Sequence, residues 1–142
     1  MGRGNPNTDF GRYLTPMPLI SAPQAFTSGW VNLGNEINCT GYNRVGAFLK
    51  VLANNSNGMR FRVMALHTSG SADLFPLPIR VTTSTEVIVS PEYVELANNA
   101  DQNIALSWDV SNLIPYVVIQ IEAGTVGVTA GTVADAHYSI GY

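Results

Sequence analysis

One cysteine, one lysine and two histidines stand among 142 residues, and each scarcity removes a class of explanation. A lone thiol, Cys39, cannot close a disulfide within the chain, so the fold is not held by cystines and no oxidising compartment is implied. With only His67 and His137 beside that cysteine, no CxxC or HExxH spacing exists, which argues against a zinc site. GxSxG, Walker-type and GxGxxG motifs are also missing. Seven Lys and Arg are outnumbered by ten Asp and Glu, for a net charge of −3. Binding a phosphate backbone needs clustered cations, so nucleic acid is not an expected partner. No run approaches the roughly 18 apolar residues of a membrane-spanning helix. Residues 1–25 lack the apolar run of a signal peptide, and the expectation is a chain made in a cytoplasm that stays soluble or assembles there.

What is present is apolar and weakly charged. Hydrophobic residues make up 46% of the chain and mean hydropathy is +0.12, enough to build a core without disulfides, metals or a cofactor. Charged residues are only 12%, about half the roughly 25% of ordinary domains, while Asn, Thr, Ser and Gly abound. Such a surface suits outer faces that pack against neighbours in an assembly. The charges are also segregated. All seven Lys and Arg lie in residues 1–80 against Asp9, Glu36 and Asp73, whereas residues 81–142 carry seven acids and no Lys or Arg. If strands of the two halves interleave, these charges pair internally; if the halves form opposite faces, they favour head-to-tail contact between copies.

The chain divides into an extended arm over residues 1–25 and a β-sandwich domain over residues 26–142. Pro16, Pro18 and Pro23 forbid a helix in the arm and favour a polyproline-like course, with Leu19 and Ile20 between them. From Phe26 onward the hydrophobic period is two. Val45, Ala47, Leu49 and Val51 alternate with Arg44, Gly46, Phe48 and Lys50. The Asn- and Gly-rich residues 54–58 then turn the chain back into a run through His67, which reads as a hairpin. Further strands are expected over residues 30–33, 86–90, 92–97, 103–110, 116–123 and 136–142, with Gly127 and Gly131 marking a bulged or bent strand. Longer crossing loops are expected at residues 68–85 and 98–102, and a helical turn only at 110–113. Seven to nine short strands without a helical stripe give an all-β, antiparallel β-sandwich, with a jelly roll preferred over an immunoglobulin-like Greek key.

Catalytic chemistry is not legible. Glu92 and Glu95 are an odd number of residues apart and cannot share a strand face as a glycosidase pair would need. Asn98, Asn99, Asp101 and Asn103 are oxygen-bearing, but one charge among four suits turn chemistry better than calcium. No catalytic residue, metal or cofactor is therefore assigned, and the chain reads as a non-enzyme. Trp108 belongs to an apolar strand face. Trp30 and Tyr42, beside turn glycines, are the candidates for stacking a ligand such as a sugar.

The Pro-rich arm, the lysine-poor Asn/Thr-rich sandwich and the Gly/Ala/Thr-rich run from Ser107 through Tyr142 together resemble small virion structural proteins of tailed bacteriophages, particularly head decoration or cement proteins. The resemblance implies trimers or other symmetric homo-oligomers on the capsid surface, tying the major capsid protein or other virion proteins together. An arm reaching across subunit boundaries would use Arg3, Phe10, Arg12, Leu19 and Ile20 as partner-binding anchors. The alternative is a jelly-roll carbohydrate-binding module or a phage tail or fibre adhesin, working through Trp30 and Tyr42.

Overall fold

A computed structural model of the chain describes residues 16–42, 44–52, 58–71, 74–97, 101–109, 114–124 and 130–141. These form β1 (Met17–Pro18), β2 (Gln24–Thr27), β3 (Val31–Asn38), β4 (Arg44–Leu52), β5 (Met59–Leu66), β6 (Leu74–Leu77), β7 (Ile79–Thr82), β8 (Val87–Ser90), β9 (Val94–Leu96), β10 (Gln102–Asp109), β11 (Tyr116–Ala123) and β12 (Ala130–Gly141). Every pairing is antiparallel. A seven-stranded sheet runs β1-β12-β4-β10-β7-β8 with β2 also on β12, and a five-stranded sheet runs β3-β11-β5-β6 with β9 also on β5. The two sheets pack as a sandwich around one apolar cluster. No helix among the described residues is long and apolar enough to cross a membrane.

The period-two pattern sets which side of each strand is buried. In β4, Val45, Ala47, Leu49 and Val51 are at most 2% exposed while Phe48 between them is 63% exposed. In β10, Ile104, Leu106 and Trp108 turn inward. The Trp108 indole N–H has no hydrogen-bond partner among the described residues. β11 sits between β3 and β5 and is buried on both faces beyond its first residue, as its near-continuous apolar run requires.

Pairing departs from the expected hairpin. β4 lies between β12 and β10, whereas β5 belongs to the other sheet, against β11, β6 and β9. The chain between them crosses from sheet to sheet. Alternation fixes the buried face of a strand but not its neighbour, and residues tolerant of positive φ serve a crossing as well as a tight turn. Gly58, at φ 99° where β5 begins, lies so close to the Leu96 carbonyl that a Cβ would sit 2.6 Å from its oxygen. Pro91 likewise separates β8 and β9, which belong to different sheets. The crossing loop expected at residues 68–85 contains β6 and β7. Its prolines conceal them from a pattern search: Pro76 is tolerated because β6 is an edge strand, and Pro78 stands where the chain changes sheets. The strand expected at residues 30–33 continues to Asn38. The helical turn at 110–113 and most of the glycine-rich segment, residues 125–129, lie outside the described residues; a register shift falls between Val133 and Asp135.

The sandwich begins inside the segment read as arm. β1 and β2 form one interrupted edge strand along β12, from Met17 opposite Tyr138 to Thr27 opposite Ala130. Between them the Leu19 N–H donates to the Ala136 carbonyl at 2.8 Å, and the Leu19 side chain is 5% exposed in the core. Gln24 then ties this edge to the other sheet, donating from Nε2 to the Asn32 carbonyl (2.6 Å) and accepting from the Gly34 N–H (3.0 Å). Gly34 has φ +68°, and a side chain there would collide with the Leu19 carbonyl oxygen.

Candidate functional site

The outer faces of the two sheets differ in chemistry. On the five-stranded sheet, β5 and β11 place Arg60 opposite Glu122, Arg62 opposite Gln120, and Met64 opposite Val118. Arg60 Nη1 reaches Glu122 Oε1 at 2.9 Å and its Nε reaches Glu95 Oε1 at 3.3 Å. Arg62 Nε donates to Gln120 Oε1 at 2.8 Å, and Gln120 Nε2 donates onward to Asn32 Oδ1 at 2.8 Å. The guanidinium of Arg62 lies 4.2 Å from the centroid of Trp30 and that of Arg60 5.5 Å from Tyr93. The two rings meet edge to face at 6.3 Å. The hydrogen bond to Glu122 raises the pKa of Arg60, whereas burial pulls that of Arg62 down against the opposing fields of Glu122 and Glu92. Arg60 of the first half thus pairs with Glu95 and Glu122 of the second, the internal arrangement expected for interleaved strands. Gln120 and Glu122 are buried and their hydrogen-bonding groups are engaged, so this face is a closed network.

The outer face of the seven-stranded sheet is open, with an aromatic ring at its centre and Lys50, Asp135 and His137 beside it. Phe48 stands between Ala105 of β10 and His137 of β12, and the next row pairs Gly46 with Ser107 and Ser139. Small side chains flatten the sheet around Phe48 and leave it 63% exposed. A shallow groove of about 370 Å³ runs beside the ring, bordered by Lys50, Thr82, Asn103, Ala105, Asp135 and His137. His137 Nδ1 is 3.5 Å from Asp135 Oδ1, both side chains facing solvent. Along the same face Val87 and Val89 of β8 are 50% and 69% exposed. What this row offers is exposed contact area around one aromatic ring.

No family model matches the sequence, and no curated protein matches it as a relative.

The residues singled out from sequence fall in several environments. Arg3, Phe10 and Arg12 lie outside the described residues. Leu19, expected to anchor the arm on a neighbour, is instead buried in the core of its own chain, because the Pro-flanked segment around it lies along β12. Ile20 is half-buried and packs on the same core. Trp30 and Tyr42 flank β3 at opposite ends, separated by a strand of eight residues or about 26 Å, too far to form one stacking platform. One face of Trp30 is covered by Arg62, and Tyr42 packs against the core. Of the loop oxygens, Asn98 and Asn99 lie outside the described residues. Among the described residues no group of three His, Cys, Asp or Glu is arranged to hold a metal ion.

Phe48 and Tyr93 emerge only with the fold. The signal for Phe48 was its place on the outward side of an alternating strand. Tyr93 precedes β9 and meets Arg60 because β9 pairs with β5, a relationship no local spacing encodes.

Proposed function

We propose that this chain is a non-enzymatic structural protein of a tailed-bacteriophage virion, a decoration or cement protein. In this reading it binds the major capsid lattice through the outer face of the seven-stranded sheet and through the N-terminal arm. Phe48 is the observation that carries this reading: a large aromatic ring, 63% exposed among Gly46, Ala105, Ser107 and Ser139, with His137, Lys50 and Asp135 at its border. Aromatic residues are enriched, and charged residues depleted, at the centres of protein interfaces. Burying that ring contributes about 2 kcal/mol per copy. Repeated around a lattice, modest contacts of this kind sum to firm attachment.

Two further features support the reading. The end of the arm is the edge strand β1–β2, which belongs to the same sheet that carries Phe48. Strand order agrees with the jelly-roll form, an architecture common in capsid proteins: β2-β12-β4-β10 in one sheet and β3-β11-β5-β6 in the other, with β7, β8 and β9 as additions.

Co-sedimentation of the full chain with empty shells of the cognate major capsid protein tests the proposal. Saturable binding that weakens on deletion of residues 1–15 is expected. Full binding without the arm contradicts the arm's role, and absence of binding by the intact chain contradicts the reading as a whole.

A further inference from the structure

A sheet edge with unpaired backbone groups invites another strand, and folded proteins normally guard such edges with proline, charge, bulges or cover. Among the described residues the two sheets have four edges, and three of them are guarded. The β1–β2 edge is interrupted by Pro18 and Pro23 and tied to β3 by Gln24, whose side chain also occupies the Asn32 carbonyl and the Gly34 N–H on that neighbouring edge. On the far side of the five-stranded sheet, β6 contains Pro76 and β9 is three residues long. The fourth edge is β8, Val-Ile-Val-Ser, with no proline and no charge. It pairs only with β7 among the described residues.

The turn into β8 fixes which of its backbone groups are free. Thr83 N–H donates to the Glu86 carbonyl at 2.9 Å, so 83 and 86 are a hydrogen-bonded pair. Antiparallel pairs alternate between bonded and non-bonded, and the register sets Thr82 opposite Val87, Val81 opposite Ile88 and Arg80 opposite Val89. Ile88 and Ser90 therefore bond toward β7, while the N–H and C=O groups of Val87 and Val89 point out of the sheet. Their side chains are exposed as well, at 50% and 69%.

We propose that β8 pairs antiparallel with β8 of a second copy of this chain, about a two-fold axis through Ile88. In this register Val87 of each copy faces Val89 of the other. Both are outward-bonding residues, so the two pairs exchange four main-chain hydrogen bonds. The four valines close into one apolar cluster, and Ile88 meets its own counterpart on the axis. Glu86 falls opposite Ser90 of the other copy, so no carboxylates oppose one another across the pair. Sliding the strands by two residues one way would bring Val87 against Pro91, which has no N–H to give, and the other way would set Val89 against Thr85, whose N–H is already given to the Thr83 hydroxyl. The edge is thus complementary to itself, which is the argument for a second copy as its occupant. This contact is independent of the proposed attachment to a capsid. It is also small, so the dimer forms with increasing concentration rather than as an obligate pair.

Light scattering on the full chain, carried up to about 1 mM, the weak end of specific association, reads the result directly. The expected mass rises from 15.2 kDa toward twice that value. Val89→Pro removes an N–H that β7 does not use, and it should hold the protein monomeric with its thermal unfolding unchanged. Ile88→Cys should give a disulfide-linked dimer under mild oxidation, because non-bonded antiparallel partners have Cα atoms about 4.5 Å apart, within disulfide reach. Buried Cys39 should leave the wild type uncrosslinked under the same conditions. A wild type that stays monomeric overturns the proposal. So does a dimer or trimer that persists in Val89→Pro, or one in which Ile88→Cys does not crosslink. Should Val89→Pro fail to fold, the crosslink alone decides.

Discussion

Arg60 and Glu122 face each other across β5 and β11 with Nη1 2.9 Å from Oε1, joining the basic half of the chain to the acidic half. The Glu122 side chain is only 10% exposed, so this is no ordinary surface pair. Glu122→Ala leaves Arg60 with Glu95 alone and should lower unfolding stability by about 2 kcal/mol. A double-mutant cycle with Arg60→Ala in urea should give a coupling of more than about 1 kcal/mol. Additive single effects would contradict the assignment.

Glu36 accepts hydrogen bonds from the Ser69 hydroxyl and, at 3.0 Å, from the Gly70 N–H. The Ser69 bond first, and the Gly70 bond second, hold its pKa below the usual carboxylate value. A depressed folded-state pKa stabilises the fold above the unfolded-state pKa, and that contribution is lost as pH falls through the folded value. Glu36→Gln should therefore be less stable than wild type at pH 7, with the gap closing in acid. Parallel stability curves from pH 7 to pH 2 would contradict this.

Gln24 and Gly34 close one edge of the sandwich. Gly34→Ala forces a side chain against the Leu19 carbonyl at a positive φ and should cost at least about 1–3 kcal/mol. Gln24→Ala strands the Asn32 carbonyl and the Gly34 N–H, and should cost about 1–2 kcal/mol. In both variants amide exchange should accelerate first in β1, β2 and β3. Uniform acceleration over all strands would show that the edge does not open separately.

Cys39 is 1% exposed, and burial pushes its thiol pKa up to about 12. At pH 8 it should react with a disulfide reagent only as fast as the surrounding structure opens, and at once in denaturant. Prompt labelling of the native protein would contradict the burial.

The same contrast between local and long-range information explains what could be read in advance. Val45, Leu49, Ile104 and Leu106 declared their buried side because alternation is written within one strand. The partner of β4 was not written there: β12 lies some eighty residues away in the chain, and the turn-forming residues before Gly58 fit a crossing as readily as a hairpin. The prolines around Leu19 signal an extended chain without saying whose surface it lies on, and that surface is β12 of its own chain. Trp30, a candidate for ligand stacking, is covered on one face by Arg62, which comes from β5 through β11 and not from adjacent sequence. Phe48 was on the correct side of its strand, but its prominence depends on Gly46, Ala105, Ser107 and Ser139 converging from three strands.

The most direct test of the attachment account is Phe48→Asp in the full chain, assayed for binding to cognate empty shells alongside thermal unfolding. Phe48 is 63% exposed and carries no part of the core, so the melting temperature should stay within a few degrees of wild type. Shell binding should fall by at least about tenfold, the equivalent of roughly 1.4 kcal/mol for each lost contact. A variant that binds shells as tightly as wild type would contradict the central claim that this face is the docking surface.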